Sequence, residues 1–194
     1  PHTVKESRLH QFFHMSALSE NVKSAFFACV SEFSRTQLLR IFPQIERRAF
    51  VVHDCLAEDY FPPTEISGSI ADVILSRTAP STPPEAVRAA RRTLLGSSPT
   101  DGFRYLMAVG TLEPRKNYLS LFKAWEKLRM LPNRPAGIVL VGSAGWSNAD
   151  LIATMRQWQL RGELFHISSV PPSDMRSLYA SADAVICPSV SEGF

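Results

Sequence analysis

Several familiar signatures are missing from this sequence, and each absence closes off a class of function. No apolar run approaches the roughly 20 residues that a membrane-spanning helix needs, and no secretory leader is recognisable. Cysteine is scarce. Cys29, Cys55 and Cys187 make an odd count with no C-x-x-C spacing, which argues against a disulfide framework and for free thiols buried in a reducing cytosol. The dinucleotide fingerprint G-x-G-x-x-G and the P-loop G-x-x-x-x-G-K do not occur, against an oxidoreductase and an NTPase of those types. Asp-x-Asp is absent too. His10 and His14 have the i, i+4 spacing of a helix-borne zinc site, but Gln11 stands where H-E-x-x-H needs Glu, so a helix-face pair is expected instead.

What remains is an ordinary globular composition. The 194 residues are 45% hydrophobic and 20% charged, enough for one large domain or pieces of two. A formal charge of +3 suits an anionic small molecule or an acidic membrane surface. Nucleic acid would call for clustered cations, and the densest cluster, Arg88, Arg91 and Arg92 in "PEAVRAARRTLLG", reads as one solvated helix face, so no nucleic-acid partner is expected. The chain opens on Pro1 and stops at "SVSEGF" just after a strand-like run, and a piece of a longer protein is expected.

The pattern of elements changes along the chain. "SRLHQFFHMSALSENVKSA" is helical, "FFACV" is an apolar run, and "SEFSRTQLLRIFP" is a helix with Ser34 and Gln37 at capping-box spacing. A short strand, "RAFVVHDCL", follows. Residues 61–101, dense in Pro, Ser and Thr, read as a linker with a short helix and little core. From Arg104 onwards strands alternate with amphipathic helices, which predicts a parallel sheet with helices on both faces. Tyr118, Leu121, Phe122, Trp125, Leu128 and Leu131 form one core-facing stripe, Ser147 and Asp150 a second capping-box pattern, and Met175, Leu178, Tyr179 and Ala182 another buried face.

In an open parallel sheet, ligands bind beyond the carboxyl ends of the strands. Three strand-end loops stand out: "GTLEPRKN", "GSAGWSN" and "SVSEGF". In the first, Gly110 permits close backbone approach, Pro114 stiffens the turn and Asn117 is placed to cap the next helix. Arg115 and Lys116 then sit where that helix begins, an end whose partial positive charge disfavours cations by about 0.3–1 kcal/mol each. Either both side chains face solvent or pair with Glu113, or an anion such as a diphosphate resolves the conflict, Lys giving a point charge and Arg a bidentate fork. The second loop has only the weak G-x-x-G spacing, and the third sets Glu192 just past a strand.

Together "VGTLEPRKNYLSLFKAW", "IVLVGSAGW", "VPPSDMRSLYASADAVICPSVSEGF" and, earlier, "FFACVSEFSRTQLLRIFP" with "FVVHD" resemble the retaining nucleotide-sugar glycosyltransferases of family 4. The resemblance runs from about Phe26 to Phe194. It implies a GT-B fold of two Rossmann-like domains: the C-terminal part of the acceptor-side domain over residues 1–60, the linker over 61–101, and an incomplete donor domain over 102–194.

It further implies that Lys116, with Arg115, binds the donor diphosphate and that Glu192, the first Glu of E-x7-E, contacts the donor sugar. Gly110, Thr111, Gly142 and Ser143 line the donor site, the backbone at Gly193 and Phe194 approaches sugar and phosphates, and Val170 reads the base. Many relatives carry Arg where this chain has Thr111, which leaves Arg115 to supply that charge. The second Glu of the motif would lie beyond Phe194, and the active-site His of relatives has no match, His53 being a strand-end residue.

The implied reaction is retaining sugar transfer from a GDP- or UDP-linked donor, mannose being favoured, to a polysaccharide or lipid-linked acceptor. No cofactor or essential metal is expected, because a helix N-terminus with Lys116 and Arg115 can stabilise the leaving diphosphate. The expected place is the cytoplasm, with peripheral contact at the inner membrane surface. A nucleotide-sugar 2-epimerase of the same architecture, and a non-catalytic nucleotide-binding piece, are the alternatives.

Overall fold

The computed structural model describes residues 8–57, 69–96, 103–145 and 149–192. By its contacts the chain divides into two units, residues 1–56 with 191–194 and residues 57–190.

The first unit holds helix α1 (Arg8–Asn21), strand β1 (Phe27–Cys29), helix α2 (Glu32–Ile41), a 3-10 helix (Pro43–Arg48) and strand β2 (Ala49–Val51). The strands pair in parallel, Phe27 opposite Ala49 and Cys29 opposite Val51. Val22, Phe42, Ile45 and Ala49 form its core. Arg48 ties the end of α1 down by donating to the carbonyls of Ala25 and Val22 at 3.0 and 2.6 Å. The start of α2 corrects the expected capping box. Ser31, in extended conformation, accepts from the Ser34 amide at 3.1 Å, so the helix begins a turn earlier, with Glu32 in its first turn where the helix dipole favours an anion.

The second unit opens with α3 (Ile70–Ser76) and α4 (Pro84–Leu95). It continues through β3 (Tyr105–Val109), α5 (Tyr118–Leu128), β4 (Gly137–Val141), α6 (Ala149–Leu160), β5 (Leu164–Ile167), α7 (Pro172–Ser181) and β6 (Ala184–Val185). The four strands are all parallel and lie in the order β5-β4-β3-β6. The chain therefore moves outward from β3 to β5 and then returns to the other side of β3, which makes the carboxyl ends of β3 and β6 the topological switch point.

Period-two alternation sends the strand side chains into two cores. Ala108, Ile138, Leu140 and Leu164 pack with Leu121, Phe122, Trp125, Met155 and Trp158 of α5 and α6 on one face. Tyr105, Met107, Val139, Val141, Phe165 and Ile167 pack with α3, α4 and α7 on the other. The linker expectation for residues 61–101 is corrected for its described part: Ile74 of α3 is fully buried, and Ala90 and Leu94 of α4 join the same core. Ala79 and Ser168 extend the pairing past the edge of β5, through Ala79 N to His166 O at 2.9 Å and Ser168 N to Arg77 O at 3.0 Å. A short apolar patch among turn-forming residues conceals this role, because only the sheet it covers shows that it is core.

Three further expectations change. Leu131 is exposed because α5 stops at Leu128. Tyr179 is 40% exposed, off the buried line of Met175 and Leu178. Of the thiols expected to be buried, Cys29 is buried but Cys55 and Cys187 are exposed. Ser147 and the side chains of His10 and His14 lie outside the described residues.

At the amino-terminal edge of the sheet, Glu163 accepts hydrogen bonds from Trp125 Nε1 at 3.0 Å and from Arg129 Nε and Nη2 at 3.0 and 2.9 Å. Burial alone would raise its carboxyl, but these bonds and the charges of Arg129 and Arg134 outweigh it and hold the group below the ordinary carboxylate value. Glu163→Ala leaves the buried Trp125 Nε1 and both Arg129 donors without their acceptor, and a loss of about 2 kcal/mol in urea denaturation followed by circular dichroism is expected. A loss below roughly 0.5 kcal/mol would show the clamp to be solvated instead.

Candidate functional site

β3 and β4 stay in register to their last residues, Val109 opposite Val141, so the two loops leave the sheet side by side. Their ladder continues beyond the strands: Gly110 N donates to Val141 O at 2.9 Å and Leu112 N to Ser143 O at 3.0 Å. Glycine makes this approach possible. A β-carbon on Gly142 would lie 2.1 Å from the Gly110 carbonyl oxygen, and Gly110 itself has φ +142°, a backbone that L side chains rarely adopt. The glycines of "GSAG" are therefore spent on a neighbouring loop: a β-carbon on Gly145 would meet Leu112 O at 2.6 Å and the Thr111 methyl at 2.9 Å. His166 supports the crossing from below. Its Nε2 hydrogen goes to Gly142 O at 2.9 Å, and burial holds the imidazole below the ordinary histidine value although that hydrogen bond acts the other way.

The loop after β3 then folds into a 3-10 turn over Pro114–Lys116, and α5 starts only at Tyr118. This corrects the premise that Arg115 and Lys116 occupy the first turn of a helix. Asn117, between turn and helix, adopts the left-handed conformation (φ 55°, ψ 35°), the amides of Lys116 and Asn117 bond within the loop to Glu113 O and Pro114 O, and the Ser120 amide in the first turn of α5 bonds to Asn117 O. The expected set of unused amides is to that extent consumed by the turn.

The two cations take different environments. Arg115 is exposed, and its Nε donates to Glu113 Oε2 at 3.0 Å, one of the alternatives that the sequence left open. Lys116 is half-buried and its stem crosses the end of β3: a β-carbon on Gly110 would lie 2.9 Å from Lys116 Cε and 3.0 Å from Tyr118 Oη. Tyr118 Oη donates to Gly110 O at 3.0 Å, which holds the same corner. A lysine head is thus carried to the carboxyl end of β3, at the switch point. Thr111 is half-buried beside it. On the α5–α6 side of the turn lies a cavity of about 240 Å³ whose lining includes Glu113 and Asp150, a pair of carboxylates that disfavours an anion there.

Asn117 joins this loop to the one after β6. Its Nδ2 donates to Pro188 O at 3.1 Å and its Oδ1 accepts from Ser120 Oγ at 2.8 Å, so it does not cap α5 by bonding a backbone amide. Val190 N donates to Arg115 O at 2.9 Å, a second tie between the same loops. Sequence reasoning missed this clip. The signal was there in a residue tolerant of left-handed backbone between a turn and a helix, but the partner that makes it a clip is one carbonyl some 70 positions away.

The remaining candidates are more scattered. Ser143 is exposed on the β4 loop, and Val170 is half-buried against the core beside α7, after Ser169 at φ 53°. Glu192 is half-buried and falls in the first unit. Gly193 and Phe194 lie outside the described residues. Among the described residues, no group of three His, Cys, Asp or Glu side chains is placed to hold a metal ion, and no helix is long and apolar enough to cross a membrane.

Against this geometry, the sequence model of "Glycosyl transferases group 1" matches residues 96–194, just over half of the chain. The chain belongs to the group 1 glycosyl transferases. Among curated relatives, it is 27% identical over 92% of its length to O-antigen chain mannosyltransferase B of Escherichia coli, of which it covers 41%. It is 33% identical over 87 residues, 44% of this chain, to the serotype-specific mannosyltransferase WbdA of the same organism, 11% of which is covered. This group 1 chain therefore spans well under half the length of the relatives it matches. Its fold is α/β of the GT-B type, as in Anabaena HepE solved with UDP (TM-score 0.56, 18% identity, 96% of this chain and 45% of that one). The starch synthase IV catalytic domain of Arabidopsis thaliana, solved with ADP and acarbose, is equally similar (TM-score 0.56, 15% identity, 88% of this chain and 36% of that one).

The Asn117 clip makes a measurable prediction. All three tryptophans fall within residues 57–190, so their fluorescence reports on the second unit. Asn117→Gly keeps the backbone and loses the side-chain bonds, which costs about 1 kcal/mol in urea denaturation. Asn117→Ala adds the left-handed strain, for about 2 kcal/mol. Equal losses would mean that the backbone conformation relaxes at no cost.

Proposed function

We propose that this group 1 chain provides the donor side of a mannosyltransferase-like enzyme. It binds a GDP- or UDP-linked sugar and passes the sugar, with retention at the anomeric carbon, to a polysaccharide or lipid-linked acceptor. The observation that carries the reading is the Lys116 stem laid across Gly110 at the carboxyl end of β3, where an open parallel sheet binds its ligand. The names of the curated relatives supply the mannosyl and polysaccharide part, and the nucleotides in the two solved relatives supply the donor class.

In this reading the Lys116 ammonium faces the diphosphate and stabilises the charge that builds on it as the sugar–phosphate bond breaks, so no metal or cofactor is needed for that step. Arg115 is the second cation. It exchanges its exposed pairing with Glu113 for a bidentate hold on a phosphate oxygen pair, which compensates for Thr111. Gly110, Thr111, Gly142 and Ser143 form the wall under the phosphates. Val170 borders the base, and Glu192 with the backbone of Gly193 and Phe194 contacts the sugar. The 194 residues cover 41% of O-antigen chain mannosyltransferase B, and in this reading they bind donor without turning it over, the whole enzyme working in the cytoplasm at the membrane surface.

The test is isothermal titration of the chain with GDP and with UDP. Lys116→Ala is expected to weaken binding by about 1.5 kcal/mol, the lower range for a hydrogen bond to a charged group, and Arg115→Ala by a smaller amount because Glu113 competes for it. Unchanged affinity in Lys116→Ala would remove the lysine from the donor site.

A further inference from the structure

We propose that the outer face of α4, with the carboxyl end of α6, is a docking surface for an anionic phospholipid bilayer. The inference rests on the membrane-surface part of the proposed function and names the face that would serve it, but it stands apart from the donor reading, because none of its residues belongs to the strand-end loops.

α4 is amphipathic in an unusual sense. Ala86, Ala89, Ala90 and Leu94 are buried, and the opposite stripe, Arg88, Arg91, Arg92 and Leu95 at i, i+3, i+4 and i+7, is exposed. A groove of about 700 Å³ runs along this stripe, and Leu160 at the end of α6 lines its far side. Leu95 is 65% exposed and Leu160 43% exposed. Glu85 is the one carboxylate among the described residues of the lining, and Arg156 of α6 engages it at 3.4 Å. The groove is therefore cationic.

The helices are held together, so the stripe is a fixed shape. Gly162, at φ +69°, lets the turn after α6 approach α4 so closely that a β-carbon there would lie 2.4 Å from Thr93 Oγ1 and 2.9 Å from Ala89 O. Three arginines facing a single carboxylate among the described residues of the lining, Glu85, which Arg156 engages and Arg88 adjoins, complement an anionic surface from a rigid face. The two exposed leucines choose the kind of surface. A soluble anion or a polynucleotide has no use for apolar side chains between the charges, whereas at a bilayer the guanidinium groups sit among phosphates while the leucines enter the acyl boundary. Arg88, Arg91 and Arg92 are exposed, as their solvated helix face predicts, and Leu160 beside them comes from another helix.

The test is co-sedimentation of the 194-residue chain with phosphatidylcholine vesicles, alone or with about one-third phosphatidylglycerol. The chain is expected to sediment with the anionic vesicles only, and less so as salt rises. Each arginine near such a surface is worth about fivefold, the equivalent of ~1 kcal/mol, so R88Q/R91Q/R92Q is expected to lose on the order of 100-fold. Leu95→Gln is expected to lose affinity while keeping the salt dependence. All four side chains are exposed, so tryptophan-monitored melting should match the parent. If the triple variant melts early, Arg91→Gln alone, at about fivefold, decides.

Failure of the parent to bind anionic vesicles, equal binding to neutral vesicles, or sedimentation of the arginine variants like the parent would overturn the proposal. So would arginine-dependent binding of inorganic pyrophosphate without vesicle binding, which would make the groove a soluble-anion site.

Discussion

The second unit is organised by one close approach, that of Gly110 to Gly142. Two parallel strands that end in register deliver two chains to the same place, and these can continue as a ladder because Gly142 has no β-carbon to strike the Gly110 carbonyl and Gly110 adopts φ +142°. Because they can, the β3 loop is extended as far as Leu112, turns at Pro114 and folds back over its own start. That return brings Lys116 above the strand end and sets Tyr118 to close the corner. His166, neutral and buried, supports the other side of the approach from β5 by donating to the Gly142 carbonyl. The geometry of the candidate site is therefore decided by backbone contact before any ligand arrives.

The strand order adds the second constraint. Since β6 returns to the free side of β3, the loop that follows it emerges beside the lysine-bearing turn, and two hydrogen bonds, Asn117 to Pro188 and Val190 to Arg115, tie the pair. A residue on one loop is thereby linked mechanically to the other. In the proposed reading, that linkage lets phosphate contacts on one loop position whatever the other presents. The cationic stripe on α4 has a separate origin, in helix packing through Gly162 rather than in the sheet.

Much of this was legible from the sequence, and what was not has physical causes. The alternation of apolar strands and amphipathic helices from Arg104 onward specified the parallel sheet, because each strand must bury both faces. Glycine at two strand ends marked the loops, although their tight approach proved to be to each other. The helix boundary was misplaced because the turn Pro114–Lys116 and the left-handed Asn117 mimic a helix start in one dimension, and only three-dimensional geometry separates the turn from α5. The partnership of Arg115 with Glu113 was visible as one option but could not be chosen, since spacing does not say where a surface side chain rests. Core residues in the stretch read as a linker were hidden for a similar reason: their burial comes from a sheet encoded later in the chain.

The central claim is that the corner of Gly110, Lys116 and Asn117 is a nucleoside diphosphate site. Amide chemical shifts of the isotope-labelled chain, recorded while GDP or UDP is added, test it most directly. The account predicts perturbations concentrated at residues 110–117, extending through the Asn117 clip to 188–190, with α4 unaffected. Shifts confined to other surfaces, or none at saturating nucleotide, would contradict it.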